Sequence, residues 1–180
     1  FTQSGGKLKF RDDDQVFIPN TYPSNQISIG SCNGDFTLDE ILINTPKLLK
    51  EFLNIKKTEY ENIEIYSAFN KSKRNIWLLP SNKIVGKTKS FVDFQNDATA
   101  KDIKLALREG FRSIEHVKRY TTTGMGTDQG KLGNMHALGI ISETASSKMG
   151  ELGTTTFRPP YTPLTFGTIV GRNVGKYFDI

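Results

Sequence analysis

The chain has 180 residues, 24 Lys and Arg against 19 Asp and Glu for a formal charge of +5, two His and one Cys. One thiol excludes an internal disulfide, a Cys-based zinc site and a thiolate-held iron–sulfur cluster, and no apolar run approaches the roughly 18 to 20 residues of a membrane helix. The charge falls short of a dedicated nucleic-acid binder, while 36% apolar and 11% aromatic residues argue for a packed core.

In chain order, the first region runs over residues 1–58. Gln15-Val16-Phe17-Ile18 and Gln26-Ile27-Ser28-Ile29 read as short strands between Pro and Asn turn signals. Gly30-Ser31-Cys32-Asn33-Gly34-Asp35 then forms a glycine turn, and apolar residues at 36, 38, 41, 42 and 43 change the period from near two to near 3.6. A helix follows, with Pro46 either starting a second helix or kinking the first. Residues 59–90 show no sustained period around Ile76-Trp77-Leu78-Leu79-Pro80 and read as a linker with one docked segment.

From Phe91 the pattern turns helical. Thr99 and Asp102 make a capping-box signature, Ile103, Ala106 and Leu107 share a face, and Gly110 supplies the stop. A short helix from Ser113 to Tyr120, a glycine-rich turn over 124–133 and a helix over 135–147 complete a three-helix module at 91–153. Beyond it, the prolines at 159, 160 and 163 predict an extended strap over 154–180. The fold class expected is α+β, a small partial β segment followed by the three-helix module. The opening Phe and the ending in mid-pattern, without a polar tail, lead us to expect a piece of a longer polypeptide. With no leader-like start, a cytoplasmic location and a reduced Cys32 are expected.

Chemistry-bearing candidates each have a plainer reading. The strand, Gly30-x-x-x-Gly34 and helix could admit a cofactor to the backbone and aim helix amides at a phosphate, or be a simple bend. Asp35 would disfavour a phosphate there. Lys118, Arg119 and Lys131 around the glycine-rich loop suit either an anion site or a solvated loop whose hydroxyls cap helices. His116 and His136 lack a nucleophile elbow or metal-type spacing. The helices at 99–110 and 113–120 also resemble a helix-turn-helix with Lys118 and Arg119 available to phosphates, which makes a small basic nucleic-acid-binding module the alternative reading; the second helix is short for base recognition.

The segments Phe91-Val92-Asp93-Phe94-Gln95-Asn96-Asp97-Ala98-Thr99, Gly110-Phe111-Arg112-Ser113-Ile114-Glu115-His116-Val117-Lys118-Arg119-Tyr120-Thr121-Thr122, Gly124-Met125-Gly126-Thr127-Asp128-Gln129-Gly130-Lys131 and Thr155-Thr156-Phe157-Arg158-Pro159-Pro160-Tyr161-Thr162-Pro163 resemble the alpha subunit of heterotetrameric bacterial sarcosine oxidase. The resemblance is dense over 91–172 and looser over the first 60 residues. It implies that residues 1–58 belong to the C-terminal part of a dinucleotide-binding domain. Gly30, Ser31, Gly34, Phe36 and Leu38 then fall at NAD-contacting positions, Ser31, Phe36 and Leu38 by touching it and the two glycines by permitting its approach. It further implies FAD and FMN on a beta subunit, gamma and delta subunits as further partners, and oxidation of sarcosine. The one-carbon unit would pass to tetrahydrofolate on a C-terminal domain beyond this chain, or leave as formaldehyde. Neither nucleic acid nor a membrane is implied as a partner, the isolated chain is expected to be inactive, and a homo-oligomer in isolation is allowed.

The helical module also resembles the 2Fe–2S domain of the bacterioferritin-associated ferredoxin type, patterned C-x-C and later G-M-G-x-C-Q-G-x-x-C. Its four ligand positions read Asp93, Gln95, Asp128 and Gly133 here. Two carboxylates, an amide and a glycine do not replace four thiolates, so no iron–sulfur cluster is expected, and the module is expected to bridge its neighbouring domains.

Overall fold

A computed structural model describes residues 1–23, 25–55, 75–82, 87–157 and 164–171. Most of the expected linker (56–74 and 83–86), the proline-rich part of the strap (158–163) and residues 172–180 lie outside the described residues. The chain is α+β, with two small antiparallel sheets and six helices among the described residues. It divides into two compact units, Phe1–Ile76 with Lys148–Gly153, and Trp77–Ser147 with Thr154–Ile180.

In the first unit, β1 (Lys7–Arg11) pairs with β2 (Val16–Thr21), placing Phe10 opposite Phe17 with ring centroids 5.0 Å apart. Arg11 forms an ion pair with Asp14 across the acidic turn, where Gln15 adopts φ +54°. The strand expected at 26–29 does not form. β2 takes β1 as its partner, while the chain after it is held through side chains, Tyr22 packing on Phe1 and donating to Asn33 Oδ1 and Gln26 Oε1 accepting from Ser4 Oγ, and 26–29 stays irregular. A 3-10 turn at Gly30–Asn33 leads to α1 (Leu38–Leu53). Its start is a capping box: Thr37 Oγ1 accepts from Glu40 N at 3.2 Å, while Glu40 Oε2 accepts from the amides of Phe36 and Thr37 at 2.8 and 3.1 Å. Of the two outcomes foreseen at Pro46, a second helix does not start there; the first helix continues through it to Asn54, which ends it at φ +53°. No α1 residue is buried. A one-turn helix, α5 (Met149–Leu152), buries Met149 in this unit, with Gly150 set against Phe10.

In the second unit the helix expected from Thr99 is preceded by a strand pair over 91–99. β3 (Phe91–Asp93) and β4 (Ala98–Thr99) first form a small hairpin, tightened by Asp97 at φ +53°. Then α2 (Ala100–Arg108) begins at the expected capping box. Thr99 Oγ1 and N donate to Asp102 Oδ2 at 2.6 and 2.8 Å and hold that carboxyl below the usual Asp range. Next come α3 (Ile114–Thr121) and α4 (Asn134–Ala145). Ile103, Val117, Leu138, Ile140 and Ile141 fill the space between the three helices and are essentially inaccessible. Each such side chain contributes about 1.5–3 kcal/mol by leaving water. The docked segment foreseen in the linker is Trp77, whose indole lies over Gly139 of α4 and edge-on to His136 at 6.1 Å. A short helix, α6 (Phe166–Val170), capped by Thr165, interrupts the extended strap expected over 154–180.

Candidate functional site

Two places bring together the residues singled out in the sequence, one in each unit. In the first, Gly30 and Gly34 bracket the 3-10 turn at φ +71° and +93°, in the left-handed region glycine tolerates best. A side chain at Gly30 would meet nothing within 4 Å, so that end is open. At Gly34 a Cβ would meet the Arg11 guanidinium at 2.7 Å. Arg11 Nη2 donates to the Gly34 carbonyl at 2.9 Å, and its guanidinium lies 5.8 Å from the Phe36 ring centre. Ser31, Phe36 and Leu38 are exposed, Leu38 at 68%. The helix start is less welcoming to a phosphate than the sequence implied. Glu40 takes the Phe36 and Thr37 amides, placing a carboxylate where an anion would have to bind. Asp35 accepts from Asn44 Nδ2 at 2.8 Å, tying the turn to α1.

In the second unit, side chains of the β3–β4 turn hold the glycine-rich loop against it. Asp93, 5% exposed, accepts from Gly124 N at 2.6 Å through Oδ2, from Gln95 N at 2.8 Å and from Asn96 N at 3.1 Å. Burial opposes its ionisation, but these amides, with Asn96 Nδ2, outweigh burial and hold the carboxyl below the usual Asp range. Gln95 Oε1 accepts from Asp128 N at 3.2 Å, and Gln95 Nε2 donates to Thr127 Oγ1 at 3.0 Å. Asp128 Oδ1 in turn accepts from Gly130 N. Gly133 stands against the next strand residue back, where a Cβ would meet the Val92 carbonyl at 2.5 Å.

Asp93, Gln95 and Asp128 therefore converge, but as a hydrogen-bonded knot rather than an open set of donors. Both Asp93 oxygens, Gln95 Oε1 and Asp128 Oδ1 accept from amides, Gly133 has no side chain, and no group of three or more His, Cys, Asp or Glu among the described residues could hold a metal ion. These residues do not fit an iron–sulfur cluster.

Two of the three cations behind the anion-site reading, which are also the two behind the helix-turn-helix reading, are engaged within the unit, while Lys131 is exposed. Lys118 is 7% exposed with Nζ donating to the Thr156 carbonyl at 3.2 Å, and Arg119 is paired with Glu115 at 3.0 Å. His116 and His136 are exposed, the latter against Trp77. Missed in the sequence was Asn134, whose amide fills the space left by Gly124 and Gly130 and donates to Thr155 Oγ1 at 2.7 Å. Two glycines ahead of a polar helix start were its only signal. No helix among the described residues is long and apolar enough to cross a membrane.

Comparison with known proteins gives these units a context. Residues 87–172, which take in the hairpin, the three-helix core and α6, match the family model of the sarcosine oxidase A3 domain. The sarcosine oxidase subunit alpha of Rhizobium meliloti (strain 1021) is 51% identical over 104 residues, covering 58% of this chain and 10% of that protein. That of Corynebacterium sp. (strain P-1) is 41% identical over 99% of this chain and 19% of its own length. The chain belongs to the sarcosine oxidase alpha-subunit family, and it spans a fifth or less of the length of these two relatives. Among solved structures, L-proline dehydrogenase from P. horikoshii superposes with a TM-score of 0.53 at 21% identity, over 95% of this chain and 36% of that one, a likeness of fold.

Proposed function

We propose that this chain serves as a non-redox scaffold segment of a sarcosine-oxidising flavoenzyme, its helical unit being a ferredoxin-like module that has exchanged its cluster for hydrogen bonds. The observation that carries this reading is the knot of Asp93, Gln95 and Asp128. Side-chain-to-amide bonds there join the two loops that, in the ferredoxin pattern, a metal cluster would join. An ionised acceptor of several amides is a strong substitute for such a staple, since charge-assisted hydrogen bonds contribute about 1.5–3 kcal/mol each.

In this reading the enzyme's electron transfer runs through FAD and FMN on a beta subunit, with gamma and delta subunits completing a cytoplasmic complex. Sarcosine is oxidised there, and its one-carbon unit passes to tetrahydrofolate or leaves as formaldehyde. The chain's own share is to bridge a dinucleotide-binding region and a folate-binding region. NAD would lie at the open Gly30 end of the first unit's turn, with the Ser31 hydroxyl and the Phe36 and Leu38 faces holding it. The carboxylate on the α1 start directs its phosphates elsewhere.

The test is the complete alpha subunit co-expressed with its beta partner. The purified complex should contain flavin without iron and should turn sarcosine over, releasing formaldehyde when tetrahydrofolate is left out. Turnover that requires iron, or a complex that assembles and works equally well with residues 87–172 deleted, would overturn the scaffold reading.

A further inference from the structure

The segment leaving the helical core is held in a way that the bridging role does not itself specify. Thr156 N donates to Glu115 Oε1 at 2.6 Å, and Thr156 O accepts from Lys118 Nζ at 3.2 Å. Glu115 and Lys118 lie three residues apart on α3, so they project from one face of that helix. One acid and one base thus take the donor and the acceptor of a single residue's backbone. Just before it, Thr155 is buried, and its hydroxyl accepts from Asn134 Nδ2 at 2.7 Å. The Thr156 side chain is exposed.

Burial of Lys118 is costly unless its charge is used, because an ammonium gives up strong hydration. Here the ammonium is used on the Thr156 carbonyl, while Arg119 pairs with the other Glu115 oxygen at 3.0 Å. Such an arrangement is more than generic packing, because it reads the main chain and ignores what residue 156 carries.

We propose that Glu115 and Lys118 form a main-chain clamp on α3, keyed by Asn134 to the Thr155 hydroxyl, that fixes the point and direction at which the chain leaves the helical core. The clamp is a conformational device of this chain. It goes beyond the scaffold reading and stands or falls without it, since it concerns contacts within one unit and involves neither flavin nor partner subunits. Its sequence requirement is unusual: position 155 needs a hydroxyl, whereas position 156 needs only a free backbone N–H and C=O.

Amide hydrogen exchange on the full chain, read at Thr156 and at the core residues Ile103 and Ile141, provides the test. Replacing Glu115→Ala removes the acceptor and should speed exchange at Thr156 by about tenfold or more, with the core amides unchanged. The conservative Glu115→Gln keeps an acceptor oxygen and should restore most of the protection. Thr156→Ala should leave residue 156 as protected as in the parent chain, whereas Thr155→Val, which has the same shape without the hydroxyl, should loosen it. The clamp is overturned if Thr156 exchanges equally fast in Glu115→Ala and in the parent chain. It is also overturned if the core amides accelerate in step, which would make Glu115 a general stability residue, or if Thr156→Ala is as damaging as Glu115→Ala.

Discussion

The two units spend their apolar residues differently. In the second, three short helices enclose five essentially inaccessible aliphatic side chains. In the first, no residue of the much longer α1 is fully buried, and Leu38, Leu42, Leu49, Phe52 and Leu53 stay exposed along it. Helix length is therefore a poor guide to which part of the chain holds itself together. A helix gains most of its stability from burying an apolar face, and α2, with nine residues, does this where α1 does not.

The contrast is sharpest for side-chain truncation. Ile141→Ala in the second unit should cost about 2–5 kcal/mol, because a cavity is left between packed helices. Leu42→Ala in α1 should fall within about 0.5 kcal/mol, as surface changes do. Urea denaturation of both variants measures the difference, and equal losses would erase the distinction between the units.

Next in size is Asp93→Asn, which keeps the shape of the side chain but removes its charge and turns an acceptor into a donor facing Gly124 N or its neighbours. A loss of about 1.5–3 kcal/mol is expected. The change should also alter the acid side of the stability profile. The folded carboxyl is held below the ordinary Asp range near about 3.9, so its contribution is complete above that pH and is lost as pH falls through the lowered folded value. In Asp93→Asn that acid-dependent loss should be smaller, as melting temperatures between neutral and strongly acidic pH would reveal. An unchanged acid limb would remove Asp93 from the account.

Gly139→Ala should cost about 1–3 kcal/mol, since the new methyl would stand 2.1 Å from Trp77 Cδ2 and the indole must move. Trp77 is the chain's single tryptophan, so a red shift of its fluorescence reports the release directly. Smallest is Thr37→Ala at the start of α1, about 1 kcal/mol for a lost cap, visible as a modest drop in helical circular dichroism rather than in the melting of the three-helix core.

What the sequence disclosed follows from how local each signal is. The Thr99 and Asp102 capping box, the shared face of Ile103, Ala106 and Leu107, and the stop at Gly110 all act within one or two turns, and α2 forms where they place it. The alternation Lys7-Leu8-Lys9-Phe10-Arg11 before an acidic turn was equally local and would have located β1; the Gln26 to Ile29 alternation looked as good, but Gln26 accepts from Ser4 Oγ and no ladder forms there. Thr37-x-x-Glu40 likewise announced the capped start of α1, which changes the reading of the glycine turn as a phosphate site. The remainder depended on partners distant in the chain. Lys118 looked like a free cation until the Thr156 carbonyl came to it from 38 residues away, and Asp93 looked like a vacated ligand position until the Gly124 amide met it from 31.

In the proposed scaffold, hydrogen bonds and not metal close the two loops around Asp93. Anaerobic incubation of the purified chain with ferrous iron and sulfide, followed by desalting, iron analysis and visible absorption, tests it most directly. Background iron, no charge-transfer bands and an unchanged melting temperature are expected. A stoichiometric cluster spectrum accompanied by a rise in melting temperature would contradict it.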